Sequence, residues 1–366
     1  MTKLSLVFGF KNRDSERVRR CLNSLSNQDL DRFEVIFVDY GSDPSCRAEI
    51  EPLVRSYQFA HYVYCETRGW PWNRAHALNI GIRLSQAELV MTSDIDLIFS
   101  EFSLRKMVDG YDGKTTLHAG CYYLPQDFKC WDSLAANKPK YGKPNTDALG
   151  LLLLLPKDIY VRLGGFDEFY RFWGREDADL ERRLNTIGFE TRFLAIEEFP
   201  LYHQWHPVQN NTTFTFMPES YWMRAQFHFG QYANISKRNE PGGMGRLVEK
   251  KERPSLAFLD REREPQMRMK EGPDLELTLV KGFMSMKDGD CAEIESDWVG
   301  PSPFFEKLAV RLNYHLRKHD VGFHVDYARN KAKEVFWGFI GMFPEMIKDY
   351  AYSTDERKFY LVRRGN

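Results

Sequence analysis

Strand-like and helix-like segments alternate through the first hundred residues, and the main apolar strands end on polar side chains. Leu4–Phe10 reads as a buried strand, and Val18, Cys21, Leu22 and Leu25 mark a helix over 17–25. Phe33–Asp39 is a second strand, 48–57 a helix, 61–65 a short third strand, Arg74–Leu84 a helix and 88–92 a fourth strand. Strands separated by helices predict an α/β fold with a mostly parallel sheet. Such sheets bind ligands at the carboxyl ends of their strands. Lys11-Asn12-Arg13, Asp39-Tyr40-Gly41-Ser42 and Ser93-Asp94-Ile95-Asp96 each follow a strand, so three strand ends bring polar groups to one crevice.

The remainder bounds the class of protein. A chain of 366 residues has room for two domains, and 27 Phe, 18 Tyr and 8 Trp exclude a mainly disordered one. Lys and Arg total 51 against 52 Asp and Glu, which argues against a nucleic-acid partner. Six scattered cysteines without a C-x-x-C pair fit a reducing compartment. The N-terminus has no signal-peptide pattern, and the apolar runs 148–156 and 335–344 are too short to span a bilayer. The expected location is cytoplasmic, with peripheral contact at the inner face of the plasma membrane left open.

From about residue 236 the composition shifts. The expected organisation is a first domain over 1–240, a charged linker over 241–272 and a small α+β domain over 273–366. In that last part strands are expected at 275–280, 291–296 and 358–362, and helices at 304–318 and 327–350. Phe304, Leu308, Leu312 and Leu316 form an apolar stripe, and 335–343 is strongly apolar. Packing against the first domain or a second copy of the chain is the plain reading. Contact with a membrane surface or a lipid-linked acceptor, aided by Arg311, Arg317, Lys318, Lys331 and Lys333, is the sharper one.

Three pieces carry chemistry. Asp94 and Asp96 lie two apart at a strand end; on an extended chain both carboxylates face one way and suit Mg²⁺ or Mn²⁺ carrying a diphosphate. Two acids in a surface turn are the plain alternative. Glu176 and Asp177 fall in the first turn of a helix whose buried face is Leu180, Leu184 and Ile187 and which Gly188 ends. Acids are common there on dipole grounds alone, but an ionised carboxylate beside an acceptor hydroxyl can act as general base. His203 and His206, within Tyr202-His203-Gln204-Trp205-His206-Pro207, add imidazole to carboxylate oxygen, a donor mix that favours Mn²⁺ over Ca²⁺.

In this order the pieces resemble the nucleotide-sugar-dependent glycosyltransferases of family 2, which have the GT-A fold, a Rossmann-like nucleotide-sugar-binding domain. The second half is similar to the C-terminal region of β-1,4-galactosyltransferases and of the N-acetylgalactosaminyl-transferring domain of chondroitin polymerases. Val38-Asp39-Tyr40-Gly41-Ser42 resembles VVDDGS, Phe10-Lys11-Asn12-Arg13 resembles PFRNR, and Trp173-Gly174-Arg175-Glu176-Asp177 resembles WGGED. Trp70-Pro71-Trp72-Asn73-Arg74 through Asn79-Ile80-Gly81 is similar to the N-x-A-x-N-x-G helix before the D-x-D strand. Gly9 and Arg175 depart from the family pattern, so acceptor identity does not carry over.

The resemblance implies roles. Phe10, Arg13 and Asp39 would hold the nucleotide, with Asn73 and Arg74 in the nucleotide-sugar site. Asp96 would bind the metal, Mn²⁺ or Mg²⁺, and Asp94 would contact it, ribose or metal-bound water. His203, or else His206, would be the histidine ligand. Asp177 would be the base, Glu176 would grip donor or acceptor, and Trp173 would face a sugar ring. The implied reaction is inverting transfer of a hexose or N-acetylhexosamine, galacto-type favoured, from a UDP-sugar. Its acceptor would be a hydroxyl of an oligosaccharide or lipid-linked saccharide, and its setting bacterial polysaccharide assembly. The last domain is open to homo-oligomer contact. A retaining transferase fits less well because Asp177 follows Glu176. A nucleotidyltransferase would favour a glycine- and lysine-rich first loop, and an inactive sugar-binding scaffold would have no need of Asp94, Asp96, Asp177 and His203 together.

Overall fold

The computed structural model describes residues 3–131, 134, 144–146, 149–171, 176–206, 243–297, 331–353 and 357–365. They divide into two compact units. The first holds the described residues of Met1–Thr67, Pro71–His206 and Ile235–Val248, and the second those of Arg68–Trp70 and Glu249–Asn366.

In the first unit β1 (Leu4–Phe10), β2 (Phe33–Asp39), β3 (Ala60–Tyr64) and β4 (Leu89–Ser93) pair in parallel, joined by α1 (Ser15–Ser26), α2 (Pro44–Arg55) and α3 (Arg74–Leu84). Both faces of β1 are covered, which is why its sequence is apolar throughout. Leu4, Leu6, Phe8 and Phe10 join the core that buries Val18, Cys21, Leu22 and Leu25 of α1. The alternate residues meet α3: Gly9 faces Trp72 and Ala77, and Gly81 lies directly on Val7. Asp14 caps α1 by accepting from the Arg17 amide at 3.0 Å. The sheet continues through β8 (Leu152–Pro156), antiparallel to β4, then β6 (Thr115–Ala119) and β9 (Glu190–Leu194), in the order β3-β2-β1-β4-β8-β6-β9. The expected mostly parallel α/β sheet is therefore present.

A second, three-stranded sheet places β10 (Leu201–His203) between β5 (Leu97–Phe99) and β7 (Tyr122–Tyr123). Helices α4 (Ser103–Asp109), α5 (Lys157–Arg162) and α6 (Glu176–Thr186) complete the unit. Leu180 and Leu184 of α6 are buried as expected, but Ile187 is not. It is the residue at which the helix stops, where Gly188 (φ +90°) turns the chain so that the Gly188 and Phe189 amides bond back to Asn185 and Leu184.

In the second unit β11 (Met267–Lys270), β12 (Cys291–Glu295), β14 (Lys358–Arg363) and β13 (Ile347–Ser353) form a four-stranded sheet in that order. Its helices are α7 (Leu256–Leu259), α8 (Leu275–Ser285) and α9 (Lys331–Met342). Three expectations are corrected here. Residues 275–280 are helix, not strand: Leu-Glu-Leu-Thr-Leu alternates locally, but Leu275, Leu279 and Phe283 are the buried residues, and that spacing is helical. Residues 327–350 are not one helix, since Pro344 follows the end of α9 and β13 begins at Ile347. The charged stretch 241–272 is not a plain linker. Residues 243–248 belong to the first unit, while Arg253 is wholly buried in the second, paired with Asp349 at 3.0 Å and lying 4.3 Å from the Trp70 ring centre. Phe336, Trp337 and Phe339 of α9 are interior residues of this unit, whereas Met342 near the helix end is exposed. The 304–318 stripe lies outside the described residues.

The contact between Gly81 and Val7 gives a test of the packing. Alanine gains about 1 kcal/mol over glycine in a helix, whereas overpacking a core costs about 1–3 kcal/mol. A Cβ at Gly81 overlaps the stiff, fully buried Val7, so the packing cost dominates. Gly81→Ala should lower the urea midpoint; an unchanged or higher midpoint would mean that α3 lies less tightly on β1.

Candidate active site

The site is built where β1, β2 and β4 end. β4 stops at Ser93 and the chain then turns, the Leu97 amide donating to the Asp94 carbonyl at 3.4 Å. Asp94-Ile95-Asp96 is thus a turn rather than extended chain, and its carboxylates part company instead of facing one cation. The Asp94 carboxylate accepts from Arg74 Nε at 3.0 Å, and that of Asp96 turns to His203 at 3.6 Å and His206 at 3.2 Å.

Arg74 opens α3, behind the cap that Asn73 makes by accepting from the His76 amide at 2.9 Å. The Asn73 amide group donates to the Glu168 carbonyl at 2.8 Å, so this buried side chain acts as a fastener. Arg74 spends its fork within the protein: Nη1 reaches Glu176 at 3.3 Å and Nη2 the Gly150 carbonyl at 2.5 Å, besides the bond to Asp94. One guanidinium therefore links the D-x-D turn to the first turn of α6. Burial alone would lower its pKa, yet Asp94, Glu176 and Asp177 carry it above the ordinary value. The same burial pushes the Glu176 carboxyl up, with Arg74 pulling it back and Asp177 adding to the rise. Asp94 behaves alike, raised by desolvation, lowered by Arg74 and raised again by Asp96.

Asp177 is half-buried, and its carboxylate accepts from the Ala178 amide at 2.7 Å. Gly150, at φ +88°, presses its backbone so close that a Cβ would overlap the Asp177 carboxylate. Two buried anchors hold α6. Asp179 pairs with Arg183, whose remaining nitrogens donate to the Leu163 and Gly165 carbonyls at 2.8 Å each. Glu181 accepts from Thr116 at 2.7 Å and from Thr191, and meets His118 Nε2 at 3.0 Å.

The other expected residues divide. Arg13 is half-buried in the loop after β1, and its charge is one of those that act on Asp96. Phe10 lies in the core against Phe37, their ring centres 5.1 Å apart, rather than in the crevice. Asp39 has no exposed surface; it accepts from Tyr62 at 2.7 Å and from the Ser42 amide at 2.8 Å, and a nucleobase would have to displace the tyrosine to reach it. Trp173 and Arg175 lie outside the described residues.

Asp96, His203 and His206 offer one oxygen and two imidazole nitrogens within 4.8 Å of one another. The fit to a divalent ion rests on Asp96 itself. Its Oδ1 is buried without a hydrogen-bond partner, a costly state for a carboxylate oxygen that a cation would relieve. Burial would raise this carboxyl, but the His206 hydrogen bond, then the charges of His203, His206 and Arg13, hold it below the usual range. Both histidines are within reach, and Asp94, committed to Arg74, is not one of this group.

Residues 5–145 match the model of glycosyl transferase family 2, and residues 133–206 that of the N-terminal domain of galactosyltransferase. Over these residues the chain is similar to the family 2 glycosyltransferases. It is 26% identical to human β-1,4-galactosyltransferase 5 over 191 residues, 52% of this chain and 42% of that protein. With human chondroitin sulfate synthase 3 it shares 27% identity, over 46% of this chain and 20% of the relative. The chain thus spans less than half the length of these relatives. Among solved structures it is similar to GalNAc-T7 with UDP, GalNAc and Mn²⁺, at 15% identity and a TM-score of 0.44, covering 57% of this chain and 44% of that one. No helix among the described residues is long and apolar enough to cross a membrane.

Four of the residues that build this site escape a reading of the sequence: Gly150, Glu168, Glu181 and Gln204. Their work is done on groups distant in the chain. Only the acidic density of α6 hinted at Glu181.

Two tests follow from the charge layout. Arg74→Met leaves Asp94 and Glu176 without their shared cation, which should cost about 3–5 kcal/mol in denaturant unfolding; a cost under about 1 kcal/mol would mean the pairing is dispensable. Burial alone would raise the Glu181 carboxyl, but bonds from His118, Thr191 and Thr116 take it below its ordinary value. A lowered folded-state pKa stabilises above the unfolded value of about 4.3, and that contribution is lost as pH falls through the folded one. The stability gap between wild type and Glu181→Gln should therefore narrow from pH 6 to pH 3; a gap that widened would reverse the assignment.

Proposed function

We propose that the first unit is the catalytic domain of a metal-dependent inverting glycosyltransferase. It would move a hexose or N-acetylhexosamine, galacto-type favoured, from a UDP-sugar to a hydroxyl of a saccharide or glycolipid. The observation that supports this reading is the Arg74 bridge, which ties Asp94 of the turn that carries Asp96 to Glu176, the neighbour of Asp177, beside the Asp96, His203 and His206 donor group. Mn²⁺ or Mg²⁺ held by Asp96, His203 and His206 would neutralise charge on the leaving diphosphate. Relatives named for galactosyl transfer and chondroitin synthesis support the choice of donor class. Assembly of a bacterial surface polysaccharide or glycolipid belongs to the same proposal and rests on the family resemblance.

Asp177 takes the proton of the acceptor hydroxyl, and the oxygen attacks the anomeric carbon from the face opposite the diphosphate. The bond from that carbon to the phosphate oxygen breaks, and UDP leaves with the electron pair. Arg13, whose charge acts on Asp96, would favour the anionic diphosphate. Arg74 holds Glu176 and Asp94 in place and offsets part of the rise that burial gives their carboxyls. No enzyme nucleophile is required, and Asp177, half-buried, is open enough to meet an acceptor.

Release of free nucleotide from UDP-, dTDP- and GDP-sugars, with Mn²⁺, Mg²⁺ or chelator, tests the reading. Slow metal-dependent hydrolysis of a UDP-sugar is expected. Asp96→Ala should abolish it, and Asp177→Asn should still bind the donor while turning over at least about 100-fold more slowly. Turnover unaffected by chelator, or by both substitutions, would sink the proposal.

A further inference from the structure

Gln204 lies between the two histidines of the donor group, and its side chain is almost wholly buried. It makes three connections. Its backbone amide donates to the Asp96 carbonyl at 2.9 Å, tying the segment that carries the histidines to the one that carries the carboxylate. Its side-chain Nε2 donates to the Arg17 carbonyl in α1 at 3.1 Å, and its Oε1 accepts from Arg20 Nη1 at 3.4 Å. Arg20 is itself stacked on Trp131, its guanidinium carbon 4.1 Å from the ring centre. One residue thus joins the end of β10, the D-x-D turn and the helix that follows the Arg13 loop.

The small sheet needs such a tie. β10 is three residues long and ends at His203, so His206 lies beyond its last ladder bond to β5. The amide of Gln204 carries the pairing with β5 one residue further, onto Asp96 in the turn that precedes it. Its carboxamide then fixes the direction in which the chain leaves the sheet. Without the side chain, the separation of His203 from His206 is set by a strand end alone. A metal site depends on that separation, because each ligand must arrive within a few tenths of an ångström of its place.

We propose that Gln204 is a positioning residue for metal binding: it holds His203 and His206 in register with Asp96 by clamping their segment to α1. This rests on the metal reading given above. The role is distinct from ligation, since both of its side-chain contacts are to α1. Outer-shell partners of metal ligands affect affinity by about 10–100-fold, and the lower end is expected for a group that acts through backbone.

The test is Mn²⁺ affinity, read from the electron paramagnetic resonance signal of free Mn²⁺ titrated with the full chain. Unfolding temperature is followed with and without the ion. Gln204→Met keeps the length of the side chain and removes its bonds, whereas Gln204→Glu keeps the acceptor for Arg20 and loses the donor to Arg17. Both should weaken Mn²⁺ binding by about 10-fold, and Mn²⁺ should raise their unfolding temperature less than it raises that of wild type. A merely structural role would lower the metal-free unfolding temperature and leave the affinity alone. Affinities within twofold of wild type in both folded variants would overturn the inference. Wild-type protein that bound no Mn²⁺ would overturn the metal reading and this inference with it. If neither variant folds, Arg20→Met carries the test from the outer end of the clamp: weaker Mn²⁺ binding in the same direction supports it, and unchanged binding overturns it.

Discussion

Everything else in the crevice is arranged around the buried guanidinium of Arg74. Asp94, Asp96, Glu176 and Asp177 all approach one place, and like charges about 4 Å apart repel by about 4 kcal/mol each at an effective dielectric of about 20. Such a cluster has an easy escape, which is to take up protons. A protonated carboxyl neither holds a cation nor accepts a proton from a hydroxyl. Arg74 works against that escape for the two carboxylates that are committed to it, Asp94 and Glu176, pulling back part of the rise that burial gives them. Asp96 is answered separately by His203, His206 and Arg13, and Asp177 lies half-buried at the edge.

Holding Arg74 still is the task of α3 and what crosses it. Asn79 is fully buried: its amide group bonds to the Phe166 carbonyl at 2.8 Å and the Glu168 carboxylate at 2.9 Å, while its oxygen accepts from the Phe166 amide. The same Glu168 carboxylate accepts from the Gly245 amide at 2.6 Å, and His76 Nε2 meets the Arg246 carbonyl at 2.9 Å. Residues 243–248 therefore lie along α3 as a strap. With Gly81 seated on Val7 beneath and the strap above, α3 has little freedom to tilt, and its first turn delivers the guanidinium to a fixed point.

The first four strands of the first unit and the helices between them were legible because each buries one continuous apolar pattern, whereas β5 to β10, α4 and α5 were not read. Val18, Cys21, Leu22 and Leu25 state the inner face of α1 outright, and Gly188 states the end of α6. The donor group was legible as far as residue type goes, in Asp96, His203 and His206. What was hidden is the direction of each side chain. Asp94 and Asp96 diverge because the chain turns between β4 and β5, and no spacing rule reports that. Phe10 and Asp39 read as crevice residues from their place at strand ends, yet the phenyl ring turns inward and the carboxylate is enclosed by Tyr62 and Ser42. Leu275 to Leu279 alternates like a strand and is helix because its partner positions extend to Phe283. Arg74 stood out in the sequence, but that it serves two carboxylates at once is a long-range fact.

The donor group also has a history in time. Asp96 precedes the short strand β5, whereas His203 and His206 lie at and just beyond the end of β10, with β6, β8 and both α5 and α6 falling between them in the chain. Contacts of such separation form late, after the loop entropy between them has been overcome. A chain emerging from the ribosome can complete the parallel strands β1 to β4 long before it possesses a metal site at all. Affinity for a divalent ion then arrives as one of the last properties of the first unit, so the ion would find purchase on finished molecules and none on fragments.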